Sequence, residues 1–219
     1  MGIHHGYRPS GNNPYVASGS SLPVGGYIAW YAADSWTGSQ WTDKSGNGNH
    51  VTTIGGTISS TSVTGNGSSK AITTLQGSTS AYMSFPSGIL PSTYTLFHVT
   101  RYTGGTRRRI FSSTSPNWLS GFWNGCTAVA YHNGWLTASS GDPYVNNWMY
   151  SCDQNSLYRA NGTTYGTGGG GASCSLNLNT DNYGETSDWQ VAEVIVYPSN
   201  LSSTDYLAVE AYLASKYGI

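Results

Sequence analysis

Charge is scarce in this sequence. Only 9% of its 219 residues are Asp, Glu, Lys or Arg, against about 25% in an average soluble domain. Nine basic and ten acidic residues leave a formal charge of −1. That is too weak a field to gather nucleic acid or an anionic membrane surface. No apolar run reaches the roughly 18 residues that a membrane-spanning helix needs, so no membrane insertion is expected. The N-terminus has no apolar stretch of the kind a secretory signal carries. Glutamate is nearly missing, with Glu185, Glu193 and Glu210 as its only occurrences. Cysteine is limited to Cys126, Cys152 and Cys174. No Cys-x-x-Cys spacing occurs, which argues against a structural zinc site, and an odd number leaves at least one thiol unpaired. A Cys152–Cys174 bridge across the glycine-rich loop and three buried thiols in a reducing compartment both fit.

What is abundant is aromatic and uncharged polar. Seventeen Tyr and eight Trp stand among many Gly, Ser, Thr and Asn, a hydroxyl- and amide-rich composition typical of extracellular and virion proteins. Residues 1–24 have almost no apolar content and read as a flexible arm, leaving 25–219 as one domain. From Tyr27 onward, short apolar runs alternate with turns every eight to twelve residues, the pattern of a sandwich or barrel. The runs include 51–54, 81–85, 94–102, 109–111, 118–123, 128–132, 148–151 and 156–160. Asn161-Gly162 predicts a hairpin turn. The run 189–197 is apolar on both faces and predicts a central, doubly covered strand. One helix is expected at the C-terminus, capped by Ser202 or Ser203, with Leu207, Val209, Tyr212 and Leu213 on its apolar side and Gly218 as its stop. The cluster Arg107-Arg108-Arg109 reads as a hairpin edge protected by charge, with a polyanion contact as the lesser alternative.

Two segments carry a family resemblance. Trp41-Thr42-Asp43-Lys44-Ser45-Gly46-Asn47-Gly48-Asn49 resembles the Asp-x-Ser-Gly-x-Gly-Asn signature near the start of laminin G-like, concanavalin A-like domains. Val191 to Tyr197, followed by Leu201-Ser202, resembles their last strand and its exit, and the ending from Val209 to Gly218 is similar to the terminal helix of microbial and viral members. The middle, around 90–97 and 117–123, looks closest to versions from large DNA viruses of algae and protists. The resemblance covers about 27–219. It implies an all-β fold: a two-sheet antiparallel jelly-roll sandwich with one C-terminal α-helix. Its members include lectins, adhesion modules, glycoside hydrolases and virion surface proteins, so the fold does not choose the function.

Three kinds of site are then weighed. The resemblance implies calcium at Asp43, Asn47 and Asn49, since calcium takes six to eight oxygens. The competing and favoured reading is an Asx-type turn locked by its own amides. Catalysis is disfavoured: a retaining glycosidase needs two carboxylates about 5 Å apart, and no Glu-x-Asp or Glu-x-Glu pair occurs. Glu185 and Asp188 fall in the loop entering the last strand, and Glu193 reads as a buried carboxylate bonded to backbone. No Gly-x-Ser-x-Gly nucleophile motif is present, and His98 and His132 read as strand histidines satisfied by neighbours. Glycan contact is the remaining chemistry. Trp118, Trp123, Trp135 and Trp148, with Asn117, Asn133, Asn146 and Asn147, could form a platform, although at least half of the tryptophans should fill the core. The selected glycan-binding residues are Trp36, Trp135, Asn133, Trp148 and Asn147. The sequons at Asn66, Asn161 and Asn200 favour an extracellular location only weakly.

The expected function is therefore a non-catalytic, surface-exposed virion protein, capsid-associated or fibre, that binds glycans or mediates attachment. Its arm would tether it to neighbouring virion or surface proteins. A purely structural capsid or decoration subunit, a secreted lectin or adhesion module and, least favoured, a glycoside hydrolase are the alternatives.

Overall fold

The computed structural model describes residues 21–142, 146–169, 173–180 and 183–219. The strands are β1 (Ala29–Ala32), β2 (Thr53–Gly55), β3 (Ile58–Gly65), β4 (Ser68–Gly77), β5 (Tyr82–Ser84), β6 (Thr95–Tyr102) and β7 (Phe111–Ser113). They continue as β8 (Trp118–Trp123), β9 (Cys126–His132), β10 (Met149–Gln154), β11 (Leu157–Ala160), β12 (Thr163–Thr167), β13 (Asn177–Leu178) and β14 (Trp189–Tyr197), and the chain closes with helix α1 (Ser203–Tyr217). One sheet runs β12-β11-β10-β6-β14-β4-β3, with β1 also paired to β14; the other runs β2-β5-β13-β7-β8-β9. All of these pairings are antiparallel. The protein is thus the expected all-β, two-sheet antiparallel sandwich with one C-terminal helix.

Strand β14 organises the larger sheet. Every one of its residues is buried, which matches its two-faced apolar sequence. It pairs with β6 along one side. On the other side β4 takes Trp189–Val191 and β1 takes Glu193–Val196. The change of partner coincides with a register shift between Val191 and Glu193 against β6. A bulge of this kind moves every later side chain to the opposite face. Trp189, Val191, Val194 and Val196 therefore line the space between the sheets, while Ala192, Ile195 and Tyr197 face outward under α1. Strict strand alternation would put Glu193 on the face of Trp189 and Val191, and the bulge turns it outward instead.

The outward cluster makes α1 a third layer. Ser202 caps the helix by accepting the Asp205 N–H at 3.2 Å, and Gly218 ends it in the left-handed region, as expected. Its buried residues are Val209, Glu210, Leu213 and Tyr217; Leu207 is 47% exposed and faces solvent. The buried stripe follows the i, i+4 spacing, and Leu207 falls off it. Leu22 packs into the same cluster, and the Tyr197 hydroxyl donates to the Val24 carbonyl at 2.8 Å. Residues 22–24 thus belong to the domain and not to the arm, whose residues 1–20 lie outside the described set. Cys152 sits in this outer cluster and Cys174 in the inner one. The larger sheet lies between them, and all three cysteines are free, which removes the suggested bridge.

Several buried polar side chains are bound into networks. The Glu193 carboxylate is fully buried, yet its partners are side chains and not backbone. Trp30 Nε1 donates to it at 2.6 Å, Lys216 Nζ at 2.8 Å and the Tyr217 hydroxyl at 2.7 Å. Glu210 accepts two bonds from Arg159, at 2.8 and 3.0 Å. Between the sheets, His98 is held by the hydroxyls of Ser151 at 2.7 Å and Thr100 at 3.0 Å. Burial pushes its pKa down to about 3. His132 stacks on Trp118 and lies 3.1 Å from Asp153. Burial opposes its charging, but the Asp153 carboxylate prevails and raises its pKa.

Two predictions follow from these groups. Replacing Glu193 with Ala strands the Lys216 ammonium and two donors, and should cost about 3–5 kcal/mol in a denaturant titration. The histidines set opposite pH limits about the ordinary value of roughly 6.5. His98, depressed, contributes stability above that value that is lost as pH falls toward 3. His132, raised, contributes stability below it that is lost as pH climbs through its elevated pKa. Melting temperature measured against pH should fall on both sides. His132→Gln should flatten only the alkaline limb.

Candidate functional site

The Asp43 loop is closed on itself. Asp43 Oδ1 accepts the N–H groups of Trp30 at 3.0 Å and Ser45 at 2.9 Å; Oδ2 accepts the Ser45 hydroxyl at 2.7 Å and the Asn49 N–H at 3.0 Å. The amides of Asn47 and Asn49 donate to the Ile28 carbonyl at 3.1 and 2.8 Å. Gly46 and Gly48 hold positive φ angles of 86° and 76°, which glycine adopts without a Cβ clash. Four donors occupy the carboxylate that a calcium ion would need, and among the described residues no three His, Cys, Asp or Glu side chains converge as a metal cluster. The loop has a different geometric role. With the Lys44 N–H donating to the Trp30 carbonyl at 2.7 Å, it satisfies both backbone groups of Trp30 and covers the outer edge of β1.

The five residues selected for glycan contact do not form one site. Trp148 is 2% exposed, lies under the Arg101 guanidinium at 5.4 Å from its ring centre, and belongs to the outer apolar cluster. It is a packing residue, which corrects its assignment as a surface platform. Asn147 is exposed but sits against Gly67 of the β3–β4 turn. Trp36 is half-buried against the inner core, far along the chain from the others. Trp135, 42% exposed, and Asn133 remain, both on the turn after β9.

Around Trp135 the structure assembles a cluster that the sequence reading only partly named. Trp135 stands edge-on to Trp123 at 5.2 Å and 65°, and to Tyr131 at 5.2 Å and 81°. Such edge-to-face pairs match the quadrupole preference of aromatic rings. Trp123 and Tyr131 alternate with the inner residues Phe122 and Ala130, so they face outward from the six-stranded sheet. Beside them, Arg109 Nε donates to Glu185 Oε2 at 2.6 Å, and its Nη1 donates to Asn117 Oδ1 at 2.7 Å. Trp123 Nε1 reaches Glu185 Oε1 at 3.4 Å, and the Arg109 guanidinium lies 4.7 Å from the ring centre of Tyr183, which is 50% exposed. Asn133 N–H donates to the Asn117 carbonyl at 2.9 Å, tying the Trp135 turn to the β8 start.

The three arginines therefore do different work. Arg107 bonds the Gly104 carbonyl and Asn146, Arg108 bonds Asn124, and Arg109 is 6% exposed in the cluster. Their reading as one charged edge fails because each arginine is held by different partners. The resulting surface sets the exposed Trp135 ring and the partly buried Trp123 and Tyr131 rings beside the Asn117 amide and the Arg109–Glu185 ion pair, which is neutral overall.

No protein-family model matches the chain, and no curated protein matches it in sequence. Solved structures do match in shape. Domain 4 of AbnA, a GH43 extracellular arabinanase from Geobacillus stearothermophilus, in complex with arabinotriose, has a TM-score of 0.57 at 16% identity, covering 84% of this chain and 98% of that one. A sialidase from Trypanosoma rangeli, in complex with sialic acid, has a TM-score of 0.58 at 11% identity, and the match covers 90% of this chain but only 34% of the sialidase. The binding domain of Paraclostridial Mosquitocidal Protein 1 has a TM-score of 0.53 at 10% identity, covering 87% and 52%. At these identities the likeness is one of fold, and it agrees with the jelly-roll architecture.

If the Asp43 loop is a locked turn, chelator should leave the melting temperature unchanged. Asp43→Ala should lower stability by about 2–4 kcal/mol, through buried donors left without acceptors. A chelator-induced drop of several degrees would show instead that the loop holds a metal ion.

Proposed function

We propose that the protein is a non-catalytic glycan-binding module whose contact surface is the Trp123–Tyr131–Trp135 cluster with Asn117, Arg109 and Glu185 beside it. The observation that carries this reading is the solvent-exposed indole of Trp135, fixed edge-on by two further rings. A sugar's C–H face lies against the negative face of such a ring, and its hydroxyls find the amide and charged groups alongside. The neutral ion pair suits an uncharged sugar. Fold likeness to a domain bound to arabinotriose and to a sialidase bound to sialic acid supports a carbohydrate ligand. Glu193 is enclosed by its own donors and Glu185 is engaged by Arg109 and Trp123, which supports a binding role over hydrolysis. The low charge and the hydroxyl-rich surface favour display on a particle such as a virion, with the arm as tether.

A glycan array tests the proposal. The wild-type chain should give a sugar-selective signal. Trp135→Ala should weaken it by about 2 kcal/mol, roughly thirty-fold, as expected for an aromatic anchor. Trp36→Ala should leave it unchanged. A signal insensitive to Trp135, or turnover of a bound polysaccharide, would overturn the reading.

A further inference from the structure

We infer that strand β3 is a self-association edge, which pairs with β3 of a second copy of this chain. The inference rests on how the sheet edges end. A free strand edge presents unpaired N–H and C=O groups, and proteins usually blunt it by charge, proline, a bulge, shortness or a covering loop. Most edges here are blunted. The Asp43 loop covers β1. Beyond β9, Tyr131 bridges to Trp135 and Thr127 to Asp142. Strand β12 carries a register shift, and the Leu136 carbonyl crosses close to its Gly166. Strand β2 has only three residues.

Among the described residues, strand β3 has none of these devices along Ile58–Val63. It spans eight residues, Ile-Ser-Ser-Thr-Ser-Val-Thr-Gly, with no charge and no proline, and its one register shift lies at the turn end. It pairs with β4 on one side, and among the described residues no other backbone group bonds to it. Ser59, Ser60, Ser62 and Thr64 are exposed.

A second copy suits this edge better than a charged partner does, because antiparallel pairing about a two-fold axis is self-complementary. With the axis at Thr61, Ser60 of one copy lies opposite Ser62 of the other. Small hydroxyl side chains meet there with no like charges in opposition. The pairing would join two eight-stranded sheets into one of sixteen strands. The Trp135 cluster stays uncovered: β3 follows β2 after two residues, whereas the cluster lies at β9, at the other end of the six-stranded sheet. The dimer is therefore compatible with the proposed glycan surface but does not depend on it.

Six paired residues per copy give a small interface, about 1,200 Å² or less, the class of weak and transient contacts. The dimer should accordingly populate at tens of micromolar and dissociate on dilution. Analytical ultracentrifugation of the full chain across that range should show the 23.3 kDa species doubling in mass. Amide exchange of Ile58–Val63 should slow as concentration rises. The S60K/S62K variant should stay monomeric with an unchanged melting temperature, as should S60E/S62E, and mixing the two should restore a dimer. A wild-type chain that remains monomeric throughout would overturn the proposal. So would a dimer indifferent to the lysines, or a mixture that fails to associate.

Discussion

Glu193 is the constraint on which the architecture turns. A carboxylate at the centre of a fully buried strand is costly unless donors surround it. Those donors come from two distant parts of the chain, Trp30 on β1 and Lys216 and Tyr217 at the end of α1, and the bulge in β14 turns the carboxylate toward them. One acidic group thereby fixes the first described strand, the last strand and the terminal helix relative to each other. Arg159 and Glu210 repeat the device nearly two turns earlier on α1, joining the helix to β11. Leu213 between these two polar anchors, and Val209 just before Glu210, provide apolar contact.

This arrangement makes the two outer surfaces unequal. The eight-stranded sheet is roofed by α1 along its middle. Among the described residues no helix lies on the six-stranded sheet, whose outward Trp123 and Tyr131 meet Trp135 of the turn after β9. The distinction follows from where the apolar side chains go. On β14 a bulge supplies a second apolar face for a helix to cover, whereas the short strands β5, β7 and β13 supply only Tyr82, Ser84, Ser112 and Asn177 on theirs. Loop segments cover that polar face instead, leaving Ser112 and Asn177 buried.

Much of the fold was legible because the relevant signals are local. The two-faced apolar run at 189–197, the Asn161-Gly162 turn and the Ser202/Gly218 caps each have one dominant physical meaning. The β3–β4 hairpin was not, since its Ser- and Thr-rich strands carry few apolar residues and little alternation. The site was legible in part. Trp135 and Asn133 flank Gly134 in a turn, and Trp123 and Asn117 were included in a broader set. Arg109 and Glu185 were missed because they are 76 residues apart in the chain and only the register of β7 and the approach to β14 brings them together. Trp148 was misplaced for the converse reason: a tryptophan beside two asparagines looks exposed, and only the sheet's outer cluster reveals what covers it.

The position of β14 also dictates an order of events in folding. This strand lies between β4 and β6, which precede it by more than eighty residues, and it alone joins β1 to the sheet. A chain released as far as β12 has both neighbours of the central strand but nothing to put between them. Pairing at such sequence separations is slow to nucleate. The β4 and β6 edges stay open until the last strand inserts, so the larger sheet closes only after residues 189–197 have been made.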